Sequence, residues 1–158
     1  MVNEDHVQHA KTKRVGVYGA AGHTAKLVAA ELLRRGITPV LGGRDPARLA
    51  AASRALQDAE VRVAHVERPD EMRAFLNGCD AVVNCAGPFE ATAIPIASLA
   101  IAEGISYFDF TTDASVINRL HGELDGAASA RQLVLAPATG FYGTLADLMV
   151  RASAPDSE

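Results

Sequence analysis

"VYGAAGHTAKLVAAELLRRG", residues 17–36, decides how the rest of the chain is read. An apolar run stops at Gly19 and an amphipathic one begins soon after, with Gly19, Gly22 and Ala25 three apart at the junction. That pattern predicts a strand, a tight turn and then a helix. A turn that receives a pyrophosphate must let the backbone approach the phosphate oxygens, so its side chains must be minimal. Its helix must also begin at the phosphate, where free amides and the positive end of the dipole meet the anion. Gly19 ends the strand, Gly22 allows the close approach, and Ala25 lets the helix lie tightly on its sheet. Ala20 and Ala21 add no bulk, and His23 and Thr24 offer side-chain donors. The competing reading is a turn of small residues made for packing alone. No Gly-Lys-Ser/Thr follows the glycines, which excludes a P-loop.

Outward from this turn, short apolar runs alternate with helical patterns. RVGVYG (14–19) reads as a buried strand, and AKLVAAELLRR as a helix with Gly36 as its stop. TPVLGG (38–43) is the second strand; Asp45 as N-cap and Pro46 at the first helical position then open PARLAAASRALQDA (46–59). VRVAHV (61–66), DAVVNCAG (80–87), SYFDFT (106–111) and QLVLAPAT (132–139) are the remaining strands. Helices are expected at 69–78, closed by Gly78, then up to Gly104 with Pro95 setting the start or a bend, at about 114–130, and at 144–153. Strands without strict alternation are buried on both faces, which implies a parallel sheet covered by helices on both sides. The fold class is therefore α/β: a doubly wound, mostly parallel Rossmann-type sheet of about six strands. Residues 13–153 form one domain in this reading, with a disordered lead-in at 1–12 and a frayed tail at 154–158.

In such a sheet the end of the second strand meets the adenosine ribose. An acid there binds a free 2′-hydroxyl, and an arginine accommodates a 2′-phosphate. Here the strand ends in Gly42–Gly43 and Arg44 follows, with Arg48 one helical turn on. Asp45 is occupied as an N-cap. A planar guanidinium suits a phosphate, so NADP is expected in preference to NAD. The alternative is that Arg44 is simply a solvated surface arginine.

GAAGHTA, GGRDPARL, NCAGPF, AIAEGISYFDFTTD and PATGFYGTLADL occur here in the order found in the saccharopine dehydrogenase-like family, and residues 13–150 resemble its NADP-binding domain. The first two motifs are shared by many Rossmann proteins; NCAGPF followed by a helix and EGISYFD is more particular. The resemblance implies that Asn84, Cys85, Ala86, Gly87 and Pro88 form the turn that meets the ribose and nicotinamide side of the cofactor, with Asp109 and Thr111 second candidates. Small residues at a strand's carboxyl end are consistent with that. Two local departures stand out: Thr112–Asp113 where the family commonly has Gly-Glu, and only a partial match over Gly140–Asp147. Members of the family typically continue into a second domain that holds the substrate; none is expected within these residues, which read either as one domain of a larger enzyme or as a free-standing cofactor-binding module.

The search for a catalytic set is negative. Lys11, Lys13 and Lys26 do not lie four residues beyond Tyr18, Tyr107 or Tyr142, so a Tyr-x-x-x-Lys pair is absent, as is a GxSxG elbow. His6, His9, His23, His65 and His121 have no metal-ligand spacing with acids; His65 reads as a core or edge histidine and His121 as a helix-surface one. Glu90 reads as a solvated glutamate at a helix start. Catalytic residues stay unknown and no metal is expected.

Composition bounds the rest. The 158 residues are 49% hydrophobic and 22% charged with net charge −4, which offers no surface for nucleic acid or an anionic membrane. Cys79 and Cys85 fit two reduced thiols, and the polar start MVNEDHVQHAKTK lacks a signal's apolar region, so a cytoplasmic protein is expected. No apolar run reaches the roughly 18 residues of a membrane span. The sequence thus points to an NADP(H)-binding domain of an oxidoreductase whose hydride transfer to an unidentified small molecule is completed outside this chain. A non-catalytic NADP-binding sensor, similar in principle to NmrA-like proteins, is the alternative. Surface left by a missing second domain also keeps a homo-oligomer open.

Overall fold

A computed structural model describes residues 13–153. The expected lead-in at 1–12 and tail at 154–158 lie outside the described residues. Strands β1 (Arg14–Tyr18), β2 (Thr38–Gly43), β3 (Glu60–Val63), β4 (Ala81–Asn84), β5 (Ser106–Asp109) and β6 (Leu135–Ala136) alternate with α1 (His23–Arg34), α2 (Pro46–Ala55), α3 (Pro69–Leu76), α4 (Phe89–Ala102), α5 (Ala114–Ala130) and α6 (Phe141–Ser153). The strands form one six-stranded sheet in the order β3-β2-β1-β4-β5-β6, with every pairing parallel. The order reverses between β1 and β4, so a crevice opens there beyond the carboxyl ends.

Helices cover both faces, as the unbroken apolar strands require. On one face Val17 and Leu41 pack against Ala25, Ala29 and Leu49 of α1 and α2. On the other, Val40, Val82 and Tyr107 meet Phe75, Ile96 and Leu120 of α3, α4 and α5. Phe75 explains a glycine that reads from sequence only as a strand end. A Cβ on Gly42 would lie 2.3 Å from the Phe75 ring, so the ring occupies the space a side chain there would take.

Several boundaries differ from the sequence expectation, each with a local cause. α1 ends in a Schellman motif: Gly36 adopts φ +71°, its N–H reaches Leu33 O at 3.0 Å, and the Ile37 N–H reaches Leu32 O at 2.9 Å. α5 ends in the same way, but with Gln132 at φ +57° in the glycine's place, so the expected strand from 132 shrinks to Leu135–Ala136. α2 stops at Ala55, short of 59, because Gln57 and Asp58 take positive φ. β3 ends at Val63 because the His65 N–H bonds the Glu71 carboxylate at 3.0 Å instead of a neighbouring strand. β4 and β5 stop early for a common reason. Asn84 Oδ1 accepts the Ala86 N–H and Asp109 Oδ1 accepts the Thr111 N–H, each at 3.0 Å, and these Asx turns lift the chain off the ladder. α4 starts at Phe89 and runs through Pro95, so that proline does not set its start. α6 begins at Phe141, three residues before the expected 144.

Candidate functional site

A cleft of about 480 Å³ lies at the carboxyl edge, walled by the turns that follow β1, β2, β3 and β4. The turn after β1 is built as its sequence suggested. Gly19 sits at φ +77°, and a Cβ there would stand 3.0 Å from the backbone of Ala86. Glycine is therefore required twice, by dihedral and by close approach. Its N–H and that of Ala20 bond Gly42 O at 2.9 and 3.0 Å, which ties the turn to β2. Gly22 is the N-cap of α1 and brings no side-chain cap.

Among α1 to α5, the other helix starts each have a capping side chain or an acid in the first turn. Asp45 caps α2 by accepting the Arg48 N–H at 3.0 Å, and Asp113 caps α5 by accepting the Ser115 N–H at 2.7 Å. α3 carries Asp70 and Glu71 in its first turn, and α4 carries Glu90. α1 has neither a capping side chain nor an acid in its first turn. Its leading amides and positive dipole end are thus uncompensated by protein charge, the condition that suits an anion.

The structure brings most of the sequence-selected residues to one cleft. Gly19, Ala20, Ala21 and Gly22 form one wall, Gly43 and Arg44 a second, and Cys85, Ala86, Gly87 and Pro88 a third. His23 and Thr24 are exposed on the first turn of α1, outside the wall, and Ala25 is fully buried beneath it. Asn84 is also fully buried, at the end of β4, and does not reach the cleft. Its Nδ2 donates to Thr92 Oγ1 at 3.0 Å and to the Tyr107 hydroxyl at 3.2 Å, while Thr92 Oγ1 donates to Ala86 O at 2.7 Å. Asn84 and Thr92 thus hold the Cys85–Pro88 turn from behind.

Asp109, paired in register with Asn84, extends this network. Its carboxylate accepts the Tyr107 hydroxyl at 2.8 Å, the Thr111 N–H at 3.0 Å and the Ala138 N–H at 2.9 Å. Asp109 and Thr111 are both buried, so neither forms part of the cleft wall. Burial, then the Asp109 carboxylate, pushes the Tyr107 phenol far above its ordinary range. Burial also raises the Tyr18 phenol, whose hydroxyl donates to Ala64 O at 3.1 Å. Cys85 is pushed up to about 12 by burial, so its thiol stays protonated and weakly nucleophilic at neutral pH. The acid–base chemistry of a hydride-transfer step therefore has no ready group among these three. Among the described residues no set of three or more His, Cys, Asp or Glu is arranged to hold a metal ion. No described helix is long and apolar enough to cross a membrane.

Four polar cleft residues escaped the sequence reading, Tyr18, His65, Glu67 and Thr92, along with the apolar Leu49, Val66 and Ala91. Thr92 lies on α4 one turn beyond NCAGPF, a spacing that could have flagged it. His65 and Glu67 lie on the turn after β3, where no motif marks them.

Comparison with known proteins places the chain in a family. The sequence profile of a family described as NAD(P)H-binding matches residues 19–136. A protein of Arabidopsis thaliana named "Probable mitochondrial saccharopine dehydrogenase-like oxidoreductase" is 26% identical over 147 residues, spanning 84% of this chain and 32% of its own length. Saccharopine dehydrogenase (L-Glu forming) from Saccharomyces cerevisiae, solved in its apo form, superposes with a TM-score of 0.74 at 16% identity over 89% of this chain and 30% of its own. A short-chain type dehydrogenase/reductase from Mycobacterium ulcerans gives 0.62 at 19% identity, over 79% of this chain and 66% of its own. The chain thus spans about a third of the length of the saccharopine dehydrogenase-like relatives. The structural likenesses carry the Rossmann fold.

Proposed function

We propose a function for this chain from one premise: it belongs to the NAD(P)H-binding family. In our reading residues 13–153 act as the cofactor domain of a saccharopine dehydrogenase-like oxidoreductase and take NADP(H) in preference to NAD(H). The diphosphate lies across Gly19–Gly22 and the open first turn of α1. Arg44 and Arg48, on the β2 wall of the same cleft, take the adenosine 2′-phosphate. Cys85–Pro88 line the nicotinamide side, and Asn84 positions that turn from behind. The bound cofactor supplies the hydride, and a carbonyl, imine or enoyl substrate is brought to it by elements outside this chain.

The observation that carries the reading is the contrast among helix starts. Of α1 to α5, only α1 has a positive end met by neither a capping side chain nor an acid, and its N-cap Gly22 lines a cleft with two arginines. Fluorescence titration tests it, since the chain has no Trp to obscure the reduced nicotinamide signal. Saturable binding with NADPH tighter than NADH is expected. Equal affinities would overturn the NADP(H) assignment, and no saturable binding of either would overturn the whole reading.

A further inference from the structure

His65 is the one histidine that lines the cleft among the described residues. The Ala64 N–H bonds Gly43 O at 2.9 Å, continuing the register that pairs Val63 with Gly43, so the turns that carry His65 and Arg44 leave neighbouring strands at the same sheet edge and line the same cleft. The ring is held from behind by α3. His65 Nδ1 lies 2.7 Å from Glu71 Oε2, and the same oxygen accepts the His65 backbone N–H at 3.0 Å. Hydrogen bonds from Arg68 and then His65 keep the Glu71 carboxyl at about 2, so it acts only as an acceptor at working pH. Nδ1 must then carry a proton in both charge states. Nε2 is then the free ring nitrogen, a bare acceptor in the neutral ring and a charged donor in the cation. Among the described residues Nε2 makes no hydrogen bond, and the side chain is 34% exposed.

The charges around the ring come from several elements. Glu71 of α3 contacts Nδ1 and is itself paired with Arg68. Glu67 shares the loop and the cleft wall, and Tyr18 lies on β1. Arg44, Asp45 and Arg48 line the same cleft, two guanidinium groups and one carboxylate.

We infer that His65, oriented by Glu71, is a specificity-determining residue for the nucleotide, its Nε2 donating to the same adenosine 2′-phosphate that Arg44 takes. This rests on the NADP(H) reading above. A neutral ring contributes nothing to that phosphate, and a charged ring adds one charge-assisted hydrogen bond, so preference for the phosphorylated nucleotide grows as pH falls.

Calorimetric titration of NADP+ and of NAD+ into the full chain, at about pH 8.5, 7.5 and 6.5, tests this. The affinity ratio of NADP+ to NAD+ should rise about fivefold over that range in the wild type, less than the full worth of one charge-assisted bond. In His65→Gln the ratio should be flat or fall slightly, because the phosphate's own second protonation near about pH 6 works in the opposite direction. Glu71→Gln replaces a pure acceptor by an amide that can also donate to Nδ1, so the tautomer is no longer fixed and the rise should be smaller. A His65→Gln ratio that tracks the wild type at every pH overturns the inference, as does a high wild-type ratio that ignores pH. A ratio near one at every pH, or no binding of either nucleotide, instead overturns the NADP(H) reading and this inference with it.

Discussion

At the start of α1 the backbone leaves its polar groups open, whereas at the ends of β4 and β5 it closes them. Gly22 caps nothing with a side chain and no acid stands in the first turn. Asn84 and Asp109 each take the amide two residues on and join through the Tyr107 hydroxyl. Both regions lie on the same sheet edge, beside the same crevice. An unsatisfied polar group is costly when buried and tolerable where water or a ligand reaches it. The open half is thus suited to receive an anion, and the closed half to hold a rigid turn against it at Ala86.

The largest effect is expected in the closed half. Asp109→Ala leaves the Tyr107 hydroxyl and the Thr111 and Ala138 amides without their acceptor in a fully buried position. Urea denaturation should show a loss of about 3 kcal/mol or more. A loss below about 1 kcal/mol would mean that water already satisfies this network. In the open half the balance reverses. Gly19→Ala strains a residue at φ +77° and presses on Ala86, costing about 1–2 kcal/mol of stability. Its NADPH affinity should drop about a hundredfold, because the turn moves away from the diphosphate. Unchanged affinity would separate that turn from the ligand.

A smaller effect distinguishes the two ends of the dinucleotide. Arg44→Ala should weaken NADPH about tenfold and leave NADH within about twofold, measured by fluorescence titration. Equal losses for both would remove the 2′-phosphate from Arg44. The smallest effect lies away from either region. Hydrogen bonds from Arg34 and then Arg35 lower the Glu31 carboxyl from 4.5 to about 2. Because the folded value is the lower one, the stabilisation is present above pH 4.5 and is lost as pH falls toward about 2. Glu31→Gln should make the acid limb of a stability–pH curve slightly shallower in that window and leave nucleotide binding alone; these exposed groups are screened by solvent.

Punctuation by glycine made the fold legible. Gly36, Gly78 and Gly104 all take positive φ just past α1, α3 and α4, where the sequence placed those ends. Where Gln57 and Gln132 serve that left-handed role, no residue type announced it, and the boundaries of α2 and β6 moved. The early ends of β4 and β5 were hidden for a related reason. Asn84 and Asp109 read as strand or site residues, and only tertiary contacts reveal that their oxygens turn the chain.

The cleft was legible where steric need selects the residue. Gly19 is demanded by Ala86, and the small run from Cys85 to Pro88 leaves space beside it. His65 and Glu67 were not legible, because their place depends on β3 ending at Val63 and on Glu71, six residues beyond His65, drawing the loop toward α3. The sequence alone left Gly42 beside Gly43 as an undifferentiated strand end; Phe75, 33 positions later, is what requires it.

Amide chemical shifts followed during an NADPH titration test the central claim most directly. The account predicts that the largest saturable shifts fall on the backbone N–H groups of Ala21 to Ala25, with a second group at Arg44 and its neighbours. Saturation by NADPH with the Ala21–Ala25 amides unmoved would contradict it, since the diphosphate would then lie away from the open end of α1.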